Sequence, residues 1–233
     1  MSDKHIFLFG ALILALGVAA GGFFVGHGLE SRETFNRVVS VKGLAETSVK
    51  SDQAIWQVTV SYSANDLTTL YAGIAKAQAA AKNFWLSQGF SAAQIDLQSA
   101  STNDNQQYGG SNNNGPHYTA SANLLLITPN VDLVKSASQQ LNLLVKQNVV
   151  LSNSQITYNF TSLNQVKPVM LDQATTNAQI AAQAFAKNAH SSIGGIRDAS
   201  QGQFTIDNDN NNGISSITKK VRVVTTVDYF LQD

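Results

Sequence analysis

The first clear pattern is an uninterrupted one. From Ile6 to Val25 the chain reads IFLFGALILALGVAAGGFFV, and the apolar character continues through Gly26, His27 and Gly28 to Leu29. At about 1.5 Å per residue such a run reaches about 30 Å as a helix, the hydrocarbon thickness of a bilayer. A single N-terminal transmembrane helix is expected, with residues 6–28 in lipid. Beyond it the pattern becomes periodic. Residues 37–63 predict two strands, the second with Ala54, Trp56, Val58, Val60 and Tyr62 alternating with more polar positions. Leu67, Leu70, Tyr71, Ile74, Ala77, Ala81, Phe84 and Trp85 follow helical spacing, with Asn65 or Asp66 as cap and Gly89 as stop. Ile95–Ser101 predicts a strand, and residues 117–128 another.

A second helix is expected from Pro129-Asn130 to about Gln147, carried by Val131, Leu133, Val134, Ala137, Leu141, Leu144 and Val145. A short strand, SQITYNF, ends at Phe160. The longest helix is expected from about Asn164 to His190, with Pro168 in its first turn because proline lacks the amide donor. Val169, Met170, Ala174, Ala178, Ala181 and Phe185 form its expected buried stripe. One strand around residues 195–206 and another around 218–231 complete the chain. The order ββα, ββα, βα, ββ predicts an α+β fold with largely antiparallel sheets and helices packed on one side. It allows one domain, residues 31–233 behind an anchor at residues 1–30, or two close halves. The tract NDNQQYGGSNNNGP, residues 103–116, is low in complexity and reads as a loop.

Two readings of the N-terminus compete. The run up to Val18-Ala19-Ala20 has the length of a signal-peptide core, with small residues where a peptidase would cut after Ala20. Phe23, Phe24 and Val25 extend it to anchor length. Glycine placement favours the anchor: at about 100° per residue Gly10, Gly17, Gly21 and Gly28 lie within roughly 20° of one line. Gly17 and Gly21 have the small-xxx-small spacing that lets membrane helices approach closely. These four glycines are the expected oligomer interface of the anchor. Lys4 on one side of the run and Arg32, Arg37 and Lys42 on the other do not fix its orientation, because long domains translocate largely regardless of charge.

Composition narrows the partners. The 15 Lys and Arg balance the 15 Asp and Glu, so no basic field draws the chain to nucleic acid. Only 13% of residues are charged, and the surface is built mainly from Asn, Gln, Ser and Thr, which suits neutral contacts between subunits. The absence of cysteine removes disulfides, thiolate catalysis and Cys-ligated zinc.

Candidate chemistry is sparse. His5, His27, His117 and His190 do not cluster, and no HExxH, phosphate loop, GxSxG or CxxC occurs. No catalytic residue, cofactor or metal site is expected, and any small-molecule ligand is left unspecified. TIDNDNNNGISS, residues 205–216, superficially resembles a calcium loop. Counting from Asp207 places Asp209 and Asn211 correctly, but position 6 is Asn212, glycine comes one residue late at Gly213, and position 12 is Thr218. A polar turn between the last two strands is the better reading.

With these elements placed, the region from about Arg37 to Leu231 resembles the SIMPL-domain family, which includes periplasmic immunogenic proteins of Gram-negative bacteria. VVSVKGLAETSVKSDQA resembles the family's opening strand, its turn and its P-D-x-A entry into the next strand, with Ser51 where the family usually has proline. ITYNF, the alanine-rich helix through Gln173-Ala174 and Ala181-Ala182, SSIGGIRDASQG and KKVRVVTTVDYFL resemble its C-terminal half. The resemblance implies an α+β fold, an extracytoplasmic domain behind a signal or anchor, and ring-like or cage-like homo-oligomers. It implies no catalytic residue. The expected protein is therefore a non-enzymatic, single-pass inner-membrane protein with its folded domain in the periplasm and itself as partner. The alternative is a soluble periplasmic binding or stress-protection protein released after Ala20.

Overall fold

The computed structural model describes residues 14–24, 37–106, 115–209 and 215–232. The chain forms two compact units. The first comprises Met1–Glu46, Lys167–Phe204 and Arg222–Asp233, the second Thr47–Val166 and Thr205–Val221. Helix α1 covers residues 14–24, and every one of these residues is exposed. Among the described residues no helix is long and apolar enough to cross a membrane. The rest of the run expected in lipid, residues 6–13 and 25–28, lies outside the described residues.

In the second unit, β2 (Gln53–Ala64) pairs antiparallel with β5 (Tyr118–Thr128) on one side and β6 (Val150–Asn159) on the other. The short β3 (Ile95–Leu97) and β4 (Ser101–Asp104) also pair antiparallel with β5. Period-2 alternation gives this sheet one apolar face. Trp56 stands opposite Leu126, Val58 opposite Leu124 and Val60 opposite Ala122, all of them buried. Helix α2 (Leu67–Ser87) covers that face with Leu70, Ile74, Ala77, Ala81, Phe84 and Trp85. Each large side chain so buried contributes about 1.5–3 kcal/mol. Asp66 caps α2 by accepting from Thr69 N at 2.8 Å, and Gly89, at φ +95°, turns the chain out of it. Both ends fall where the sequence placed them.

The second helix does not run unbroken to Gln147. It is α3 (Val131–Ser138) followed by a single turn, α4 (Asn142–Val145). The hydroxyls of Ser136 and Ser138 donate to the carbonyls of Leu133 and Lys135 three residues back. Such local bonds compete with the helical ladder. At the break Gln140 N and Leu141 N bond three residues back rather than four, to Ala137 O and Ser138 O. Past α4, Asn148 takes φ +59°, a conformation asparagine tolerates, and β6 begins four residues earlier than SQITYNF suggests. Of the tract expected as a loop, residues 103–104 belong to β4.

The first unit is built from β1 (Val38–Lys50), α5 (Leu163–Asn188), β7 (Ser192–Gln201) and β9 (Thr218–Gln232), with sheet order β1-β9-β7. The short β8 (Thr205–Asn208) also pairs with β9. The division between the units falls inside β1, α5 and β9. The buried line of α5 is Met170, Ala174, Ala178, Ala182 and Ala186, while Val169 and Phe185 of the expected stripe are 69% and 61% exposed. Ala181 is half-buried. The reason is a close approach of backbones. A Cβ on Gly43 of β1 would lie 1.8 Å from Ala174 O and 2.5 Å from Ala178 N, so only alanine-sized residues fit this seam. Asn177 Nδ2 fixes the seating by donating to Leu44 O at 2.7 Å.

Two further expectations are corrected. Pro168 is the sixth residue of α5 rather than part of its first turn, since the helix already begins at Leu163. Proline there leaves the carbonyl of Asn164 without its usual donor. The strand expected at 195–206 is divided into β7 and β8. At the break, Gly202 N donates to Val224 O at 2.8 Å, and a Cβ at Gly202 would come within 2.5 Å of the same oxygen.

Candidate functional site

The polar groups most open to a functional reading lie in separate places. The SDQA stretch joins β1 to β2. Asp52 accepts from Thr161 N at 2.8 Å, Thr161 Oγ1 at 3.0 Å and Ser162 N at 2.9 Å, immediately ahead of α5. Burial pushes its carboxyl up, but the hydrogen bonds from Ser162 and Thr161 outweigh this and hold the pKa below 3.8. Asp52 thus pairs backbone donors that lie at the entry to α5, where the first N–H groups of a helix have no intrahelical acceptor. Ser51 is buried, and its N–H donates to Ile217 O at 2.8 Å. Its hydroxyl has no partner among the described residues. A proline in its place would remove the Ile217 bond, which gives the serine a physical consequence. Sequence reading placed this motif correctly but did not assign Asp52 its capping role.

The neck of the Asn-rich tract is closed from both strands. His117 Nε2 lies 3.2 Å from Asp104 Oδ1, and its ring stacks on Tyr118 with centroids 4.0 Å apart and planes at 17°. Asn105 N donates to His117 O at 2.8 Å, and Asn65 Oδ1 accepts from His117 N at 3.1 Å. Residues 107–114 lie outside the described residues. His190 has a different task. It takes φ +55° at the end of α5, where Ser191 N bonds to Ala186 O at 2.9 Å and His190 N to Lys187 O at 3.2 Å. This paired termination usually uses glycine, so no sequence rule would have assigned it to a histidine. His5 and His27 lie outside the described residues.

Of the stretch TIDNDNNNGISS, residues 205–208 form β8 and the remainder leads towards β9 at Thr218. Asn208 Oδ1 accepts from Ser216 N at 3.2 Å and from the ammonium of the buried Lys219. Burial lowers the pKa of Lys219. Lys220 Nζ stands 3.9 Å from Asp209 Oδ1. Lys219 and Lys220 thus engage the oxygens of the adjacent Asn208 and Asp209, and a cation already held at Asp209, one of the residues that would have to ligate calcium, is a charge arrangement opposed to a divalent cation. Asn211 to Gly213 lie outside the described residues. No group of three or more His, Asp or Glu residues is placed to hold a metal among the described residues.

A shallow groove of about 410 Å³ lies between the end of α5 and the start of β7, lined by Gln183, Ala186, Lys187, Ser191, Ser192 and Ile193. Its lining carries one cation and two hydroxyls but no carboxylate or imidazole. It has the chemistry of a contact surface more than that of a proton-transfer site. Of the four glycines expected to form an anchor interface, Gly17 and Gly21 lie on α1, where an added Cβ would meet nothing within 4 Å. Gly10 and Gly28 lie outside the described residues.

Residues 39–227 match the model of the SIMPL family, described as a protein of unknown function (DUF541). The chain belongs to the SIMPL family. No curated protein matches it. The SIMPL match runs from β1 into β9 and takes in residues of both units. Asp52, Gly43, Gly202 and His190 all lie inside it. In this SIMPL chain they cap a helix, admit a close backbone approach, break a strand and end a helix. The α1 helix precedes the match.

Proposed function

We propose that this SIMPL protein is a non-enzymatic, membrane-tethered homo-oligomer whose folded domain, residues 31–233, lies in the periplasm of a bacterium with the anchor in the inner membrane. The observation that carries the proposal is the state of α1. Leu14, Leu16, Val18, Phe23 and Phe24 are between 63% and 75% exposed, in an uncharged run that extends from Ile6 to Val25. Contiguous apolar surface of this size is seldom left in water, and a bilayer is the solvent that suits it. The open sides of Gly17 and Gly21 support close packing of one anchor on another. The low charge of the chain supports neutral contacts between folded domains. Family membership supports the α+β domain but adds no activity, since the family's function is unknown.

Membranes from cells expressing the full chain, washed with alkaline carbonate, should retain it, and N-terminal sequencing should find the segment before Ala20 still attached. Release into the wash with a new N-terminus at Gly21 would replace this reading with the soluble, cleaved alternative. Exchanging Gly17 and Gly21 for isoleucine should weaken anchor association; an unchanged oligomer mass would remove the glycine stripe from the proposal.

A further inference from the structure

Strand β6 ends the order β3-β5-β2-β6, and among the described residues β2 is the one strand it pairs with. Its hydrogen-bonding groups can be assigned. Tyr158 N donates to Ser215 Oγ at 3.0 Å, and the carbonyl of Asn159 accepts from Asp52 N at 3.0 Å. The N–H of Tyr158 therefore points away from β2. Backbone groups alternate along an antiparallel strand, so those of Ile156 and Ser154 point outward too. Among the described residues neither outward N–H has a partner.

Exposed edges are usually blunted by charge, proline, bulges or short length. The edge strand β1 carries Lys42, Glu46 and Lys50. The edge strand β7 carries Arg197 and Asp198 and has two register shifts against β9. The far side of the β6 sheet ends in strands of three and four residues. By contrast β6 is ten residues of VLSNSQITYN, without charge or proline, and regular from Asn153 to Asn159 beyond one register shift. The turn leading into it, closed by Val149 N on Leu144 O, adds exposed apolar surface at Val145 and Val150, each 59% exposed.

The geometry points to β6 as the strand through which a second copy of this chain adds to the sheet, β6 against β6, antiparallel across a two-fold axis. In a self-complementary antiparallel pair residue i of one copy faces residue j of the other and j faces i, so a charged edge is restricted to registers that set opposite signs together. The uncharged β6 carries no such restriction and meets its own copy without a charge to be matched. Pairing it with β1 or β7 of a second copy would instead leave their charges opposite neutral residues. A two-fold pair also closes the edge, whereas a head-to-tail pairing would leave a new one exposed. The inference rests on the homo-oligomer proposed above and names one of its interfaces.

The test compares the full chain in detergent with three variants, by native mass spectrometry and circular dichroism. Ser154→Pro removes one outward donor and leaves the ladder to β2 intact. Ser154→Ala keeps the donor and loses only the 3.0 Å bond from Trp56 Nε1 to the serine hydroxyl. A third variant, Gln155→Lys with Thr157→Lys, places like charges on exposed positions of the strand. The expected result is wild-type mass for Ser154→Ala, and a fall to half that mass or less for each folded variant of the other two. Wild-type mass in folded Ser154→Pro, or in the double lysine variant should the proline prevent folding, overturns the inference. A monomeric wild type would instead overturn the oligomer itself.

Discussion

The two units seat a helix on a sheet in opposite ways. In the second unit the space is filled by bulk: Trp56 packs edge-to-face on Phe84 at 6.4 Å and tilted against Trp85 at 5.5 Å, with Leu70 and Ile74 beside them. In the first unit the helix backbone comes down on a glycine, and alanines line the seam. Close packing makes both arrangements specific but with different failures. The aromatic core tolerates loss of volume poorly, and the alanine seam tolerates gain of volume poorly. The same amphipathic logic thus yields two kinds of sensitivity within one chain.

The comparison is broken most directly by truncation. Trp56→Ala should destabilise by about 3–5 kcal/mol, from lost burial, the cavity left and the orphaned Ser154 contact. Urea denaturation followed by tryptophan fluorescence from Trp85 reads the effect. A loss below about 1 kcal/mol would mean that the second unit does not depend on its bulk. Next comes Gly43→Ala, a single added carbon. Its Cβ meets backbone atoms, so β1 and α5 must separate, at about 2–3 kcal/mol. Neutrality in thermal unfolding would show that the seam is loose.

Asp52→Asn removes a charged acceptor at the start of α5 and should cost about 1 kcal/mol at pH 7. The sign of its pH dependence follows from the depressed pKa. The carboxylate's contribution is present above 3.8, its ordinary value, and is lost as pH falls through the lower folded value. The wild type and Asp52→Asn should therefore differ at neutral pH and converge in acid. A gap that persists or widens in acid would contradict the cap. The smallest effect is a gain. His190→Gly relieves a left-handed residue and should stabilise by about 0.5–1 kcal/mol after the added freedom of the unfolded glycine is subtracted. A lower melting temperature would show that the imidazole makes contacts worth more than the strain.

Much of this fold was legible because its signals are local. The alternation of Trp56, Val58 and Val60, the cap at Asp66 and the stop at Gly89 each follow from a few neighbouring residues. The errors lie where tertiary contacts decide. Nothing in the run Val169 to Phe185 says that Gly43, more than a hundred residues earlier, admits only alanines at its seam, so Val169 and Phe185 read as members of a stripe that Ala174 and Ala178 do belong to. The break after Ser138 depends on which serine hydroxyls turn inward. Asp52 reads as a strand-entry residue until Thr161 and Ser162 are seen against it. The separation of His117 from His190 was visible in the sequence, whereas the bare edge of β6 was not, because an edge is defined by the strand that fails to arrive.

The central claim is a tethered SIMPL domain that assembles with itself. The measurement that tests it most directly is the mass of the intact chain, extracted from membranes in a mild detergent with residues 1–30 attached, by native mass spectrometry. The account predicts a single species at an even multiple of the protomer mass. A chain that stays in the membrane fraction yet flies as a monomer would contradict it.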